Sequence, residues 1–192
     1  MVTFKVPVGI SNRHVHLSQE HIDALFGAGH TLTKTKDLSQ PGQFACEETV
    51  TIIGPKGTMS GVRVLGPARR ESQVELSATD TFKVGVKPPV RDSGKLDGTP
   101  GIVIEGPMGR IQLEQGVMLA ARHIHMTPDE AERYSLIDGD HVHVLVPGVR
   151  GGIFEHVLVR VNANYALDMH IDTDEGNAFS LVNGQELDVS FD

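Results

Sequence analysis

The chain has 192 residues, of which 39% are hydrophobic, 22% are charged and only 5% are aromatic, and its formal net charge is −8. That acidic balance excludes non-specific nucleic-acid binding, which needs a basic face, but leaves room for a local basic pocket. A single cysteine, Cys46, excludes an internal disulfide and a cysteine-ligated zinc finger. No apolar run approaches the ~18 residues that span a bilayer, and the first eight residues lack the apolar core of a signal peptide, so the sequence reads as soluble and cytoplasmic. With 21 glycines and 10 prolines the composition points to many short strands and away from a helical bundle.

In chain order, β-branched or alternating runs predict strands at Thr3–Val8, Thr49–Ile53, Val62–Leu65 and Val74–Ser77. Further strands are expected at Ile102–Ile104, Arg110–Leu113, His141–Val146, Ile153–Val161 and Leu187–Phe191. Gly54-Pro-Lys-Gly57 and Gly106-Pro-Met-Gly109 follow apolar runs, as tight turns do. Two helices are expected. One runs from Gln19 to Phe26 behind the cap Ser18, with Ile22, Leu25 and Phe26 as its buried stripe. The other opens at Thr127-Pro-Asp-Glu130, a capping box with proline at the first helical position.

The two helix starts expose an internal repeat: Arg13-His-Val-His-Leu-Ser18 matches Arg122-His-Ile-His-Met-Thr127 in order and in chemistry. Residues 88–100 are turn-rich and lack apolar periodicity. The expected organisation is therefore mainly β with short α-helices, as two similar small β-barrel domains. The first is residues 1–87 and the second is residues 101–192, with 88–100 as a linker.

Six of the ten histidines form three His-x-His pairs. On a strand, residues i and i+2 project from one face, so two imidazoles can converge on one ion. A solvated strand face is the bland alternative for any such pair. Duplication of the arginine, the spacing and the cap favours metal binding for His14/His16 and for His123/His125. His141/His143 merely alternates with valines and reads as the outer face of a half-buried strand. His170 is flanked by Asp168 and Asp172, either of which could orient its ring, although an ordinary polar strand end fits the segment equally.

The segment Leu65-Gly-Pro-Ala-Arg69-Arg70 shapes a loop presenting two guanidinium groups, which suit phosphate oxygens; a solvated charged loop is the other reading. Glu75, in the strand that follows, is well typed as an oxygen ligand for zinc. Cys46 precedes Glu47 and Glu48, which disfavour its thiolate, so it is expected to be a buried small hydrophobe. His14-Val-His16 with Glu20 imitates the metal motif of cupins, but Glu20 falls in the first turn of a capped helix rather than on a strand.

These residues resemble the PduL-type phosphotransacylases, or phosphate propanoyltransferases, over nearly the whole chain. The resemblance is carried by the segments 8–18, 65–75, 121–127 and 168–177. It implies two β-barrel domains with the active site between them and two zinc ions. It assigns His14, His16 and Glu75 to one ion and His123, His125 and His170 to the other, and it places Arg69 on the phosphate. It also implies a coenzyme A path along Ile10, Ser11, Asn12, Lys56, Arg63 and Asn177. A homodimer and association with a bacterial microcompartment are compatible with it. Microcompartment members carry an N-terminal encapsulation peptide, whereas few residues here precede Val8.

The implied reaction is acyl-CoA plus phosphate to acyl phosphate plus coenzyme A, with phosphate attacking a metal-polarised thioester and propanoyl or acetyl as the acyl group. A zinc-dependent thioesterase and a non-catalytic zinc-braced β-barrel protein are the alternatives. Three-ligand sites, which leave a position open, favour catalysis over bracing.

Overall fold

The computed structural model describes residues 2–191. The strands of its first half are β1 (Val2–Ser11), β2 (His14–His16), β3 (Lys34–Asp37), β4 (Phe44–Ile53), β5 (Thr58–Gly66), β6 (Gln73–Glu75) and β7 (Val90–Arg91). Those of the second half are β8 (Ile102–Glu105), β9 (Arg110–Leu113), β10 (Val117–Ala120), β11 (His123–Met126), β12 (His141–Val146), β13 (Gly152–Val161), β14 (Asp168–Asp172) and β15 (Glu186–Phe191). Four short helices complete the described residues: α1 (Gln19–Phe26), α2 (Ala78–Val84), α3 (Pro128–Tyr134) and α4 (Thr173–Phe179). The protein is mainly β, as its composition indicates. No helix among the described residues is long and apolar enough to cross a membrane.

Two compact units emerge. One gathers residues 2–11, 39–41 and 121–191, and its six strands close a barrel in the order β1-β14-β11-β13-β12-β15. Strict alternation builds it. In β12 the valines at 142, 144 and 146 point inward while His141, His143 and Leu145 stay exposed, so the third His-x-His pair is an outer strand face. Phe154, Val159, Met169, Leu187 and Val189 fill the interior with Val6 and Val8 of β1. The excursion at 39–41 is fastened by Gln40, whose side chain donates to the Ala166 carbonyl (2.9 Å) and accepts from the Ala166 N–H (3.2 Å).

The other unit, residues 12–38 and 42–120, carries a nine-stranded sheet ordered β7-β10-β6-β2-β5-β4-β8-β9, with β3 paired to β4. Its core includes Val15, Leu17, Leu25, Ile52, Val64, Val74 and Ile104. Both Gly-Pro-x-Gly turns form as expected, with Gly54 N–H bonded to the Gly57 carbonyl (3.0 Å) and Gly106 N–H to that of Gly109 (2.9 Å). Each turn also meets a helix end: Lys56 N–H donates to Val84 of α2 (3.1 Å) and Met108 N–H to Leu25 of α1 (2.9 Å).

The division differs from the one expected at residues 88–100. β1 is N-terminal in sequence yet pairs with β14 and β15, which long-range pairing can arrange and local composition cannot reveal. Residues 88–100 lie within the sheet unit, where β7 pairs with β10 and Leu96 and Thr99 are buried. The strand expected to end at Ser77 stops at Glu75, because Ser77 caps α2. Neither α2 nor α4 was expected.

Candidate active site

In the sheet unit, β2 lies between β5 and β6, and antiparallel register sets His14 opposite Glu75 and His16 opposite Gln73. His14 donates from Nδ1 to the Asn12 carbonyl (2.8 Å), which turns its Nε2 towards Glu75, 3.3 Å from Oε2, and the carboxylate there outweighs burial and raises the His14 pKa. The other carboxylate oxygen, Oε1, accepts from Gln73 Nε2 (2.6 Å) and Ser93 Oγ (3.0 Å). Ser93 in turn accepts from Arg69 Nη1 (3.1 Å). One oxygen of Glu75 is thereby tethered and the other left for a cation. Burial alone would raise the Glu75 pKa, but His14, by its charge and its hydrogen bond, holds the carboxyl well below the usual range. Burial, then the charges of His14 and Arg69, keep His16 neutral.

The barrel repeats the geometry. His123 on β11 faces His170 on β14, and His125 faces Asp168. His123 donates from Nδ1 to the Ala121 carbonyl (2.8 Å), as His14 does to Asn12. Its Nε2 lies 3.0 Å from that of His125, and His170 donates from Nε2 to Asp168 Oδ2 (2.9 Å). Asp168 is thus the carboxylate that orients His170, while Asp172 caps α4. Burial, reinforced by His123 and His170, lowers the His125 pKa to about 2, so the ring is neutral at any working pH.

Both clusters fit a metal ion. The ligand atoms of His14, His16 and Glu75 lie within 4.8 Å of one another, as do those of His123, His125 and His170. Two ligands ~2.0–2.1 Å from a tetrahedral zinc sit about 3.3 Å apart, close to the separations seen here. The buried Nδ1 atom of His125 has no hydrogen-bond partner among the described residues, although buried ring nitrogens normally find one. Imidazole nitrogens, joined in one cluster by a carboxylate, form a donor set suited to zinc.

The structure uncovers a fourfold repeat beneath the twofold one. His16-Leu-Ser18, Glu75-Leu-Ser77, His125-Met-Thr127 and His170-Ile-Asp172 each run ligand, apolar residue, helix cap. Each cap side chain accepts from the backbone N–H three residues on. A ligand two residues before a capped helix is the signal by which α2 and α4 could have been found.

Arg69 is half-buried on the loop after β5, and its charge adds to the burial that lowers the His16 pKa; Arg70 is exposed. Arg63 is the register partner of His14 and donates to the carbonyls of Cys46 and Glu47 (both 2.9 Å). Asn12 orients His14 through its carbonyl, and Lys56 is exposed in the β4–β5 turn. In the barrel unit Ile10 and Ser11 end β1 beside Ile171 and Asp172, Gly176 packs on Ile10, and Asn177 follows it on the exposed side of α4. Sequence reasoning missed Gln73 and Ser93. It also missed Tyr165, whose ring packs 4.3 Å from that of His125, and Arg160, whose charge His125 feels.

Strand-borne histidine clusters, each buried beside a capped helix and one of them joined through Ser93 to an arginine, define a β protein with two groups of side chains that could each hold a metal ion. A family model described as phosphate propanoyltransferase matches residues 7–182. Relatives named phosphate propanoyltransferase include one from Thermotoga maritima, 59% identical over 92% of this chain and 85% of its own. Another, from Rhodobacter capsulatus, is 54% identical over 93% of this chain and 83% of its own. The chain belongs to the phosphate propanoyltransferase family.

Proposed function

We propose that this protein is a zinc-dependent phosphate acyltransferase interconverting acyl-CoA plus phosphate with acyl phosphate plus coenzyme A. The observation that carries this reading is the hydrogen-bonded line Arg69–Ser93–Glu75, which joins an anion-binding guanidinium to a metal-ligand cluster. Zinc held by His14, His16 and Glu75, and by His123, His125 and His170, would supply Lewis acidity and a soft partner for sulfur. Arg69 binds inorganic phosphate by its guanidinium fork and fixes its approach, replacing a bimolecular encounter with a positioned one. A phosphate oxygen forms the new bond to the acyl carbon, the carbon–sulfur bond breaks, and coenzyme A leaves as thiolate to be protonated by solvent. Ile10, Ser11, Asn12, Lys56, Arg63 and Asn177 are assigned to coenzyme A, with the cationic Lys56 and Arg63 suited to its phosphates.

The test is thiol release from propanoyl-CoA and acetyl-CoA, with and without phosphate, before and after zinc chelation. Release that requires both phosphate and zinc is expected. Arg69→Ala should lower kcat/KM for phosphate by about 10²-fold, as loss of one preorganised charged donor does. Release without phosphate would make the protein a thioesterase, and none from zinc-loaded protein would return the clusters to a structural role.

A further inference from the structure

Arg13 and Arg122 open the two copies of the sequence repeat, yet neither belongs to a ligand cluster. Their contacts correspond. Arg13 Nη2 lies 2.7 Å from Asp80 Oδ1, and Arg122 Nε lies 2.9 Å from Glu175 Oε1. Both acids close the capping boxes of the helices that follow the third ligands, each five residues beyond it: Glu75 before Asp80, His170 before Glu175. The carboxylates are divided alike. Asp80 gives Oδ2 to the Ser77 N–H and Oδ1 to Arg13, and Glu175 gives Oε2 to the Asp172 N–H and Oε1 to Arg122. Asp80 is buried, at 4% exposure, so its charge depends on the guanidinium for compensation.

We propose that Arg13 and Arg122 are positioning residues, each fastening the strand–helix unit that carries the third ligand to the strand that carries the histidine pair. The inference rests on the metal reading above and adds a division of labour to it: Arg13 serves only the His14/His16/Glu75 cluster, and Arg122 only the His123/His125/His170 cluster. Each arginine is the neighbour in sequence of the first histidine, so its backbone moves with that ligand. Its side chain reaches the helix start that fixes where the third ligand stands. Groups that orient metal ligands in this way typically govern 10–100-fold in metal affinity.

The test measures zinc affinity of the full chain by chelator competition in two backgrounds. Glu75→Ala leaves the barrel cluster intact, and His170→Ala leaves the sheet cluster intact. In the Glu75→Ala background, Arg122→Ala should weaken zinc binding by about 10–100-fold and Arg13→Ala should not. In the His170→Ala background the order should reverse. Arg13→Lys and Arg122→Lys, which keep the charge but lose the fork, should show the same crossed pattern with smaller losses, and they serve if an alanine variant does not fold. Equal weakening of both clusters by either arginine, or no weakening by either, would overturn the proposal. A parent protein that binds no zinc would overturn the metal reading and the inference with it, a result distinct from unchanged affinity in the variants.

Discussion

At the residue scale, what each side chain does follows from which of its atoms is already engaged. His14 and His123 spend Nδ1 on a carbonyl, which leaves Nε2 as the ring nitrogen turned towards the rest of each cluster. Cys46 shows the opposite economy. It is fully buried, and burial, with the nearby Glu48 charge, pushes its thiol up to about 11. A pKa of about 11 leaves a thiolate population about 100-fold below that of an ordinary cysteine at pH 7–8. Iodoacetamide should therefore leave native protein unlabelled under conditions that label it fully in guanidinium. Stoichiometric labelling of the native protein, followed by mass spectrometry, would contradict this.

At the element scale, the hairpins are held against helix ends without room to spare. A Cβ placed on Gly54 would sit 2.2 Å from the Val84 carbonyl oxygen, and one on Gly106 would sit 2.5 Å from that of Leu25. Gly54→Ala should accordingly destabilise the protein by about 1–3 kcal/mol, the cost of forcing backbone apart in a packed region. Denaturant unfolding would read it as a lower midpoint at unchanged slope, and an unchanged midpoint would refute the argument. The Gly-Pro-x-Gly turns were legible in the sequence, as were α1, α3 and the nine periodic strands, because hydrophobic alternation and caps are local signals. The two buried histidine pairs were legible because Arg-His-x-His recurs. The short strands β3, β7 and β10 were not, since two to four residues carry no usable period, and β3 is exposed throughout. α2 and α4 have seven residues each, too few to show a stripe. Ser93 was hidden for another reason: its place beside Glu75 depends on tertiary folding of a segment whose composition reads as linker.

On the scale of the whole molecule, the two units are interleaved along the chain. The barrel takes residues from both ends, and β1 is zipped to β15 from Val2 opposite Phe191 to Pro7 opposite Glu186, with Lys5 bonded to Asp188 (3.0 Å). Because those strands lie side by side, a circular permutant that starts at Asn12 and ends at Ser11, its old termini joined by a short flexible linker, should keep the native circular dichroism spectrum. It should also refold faster, since β1 would then follow β15 directly and the longest loop closure would be removed. Stopped-flow refolding equal to or slower than that of the parent would count against this. The same interleaving bears on birth order. During synthesis the sheet unit's strands, which end at Ala120, have all left the ribosome before any of β1's partners exists. Phe4, Val6 and Val8, buried in the finished barrel, are thus made before the whole sheet unit and meet their permanent neighbours on β14 and β15 only after it, so their apolar surface waits unpaired through most of synthesis.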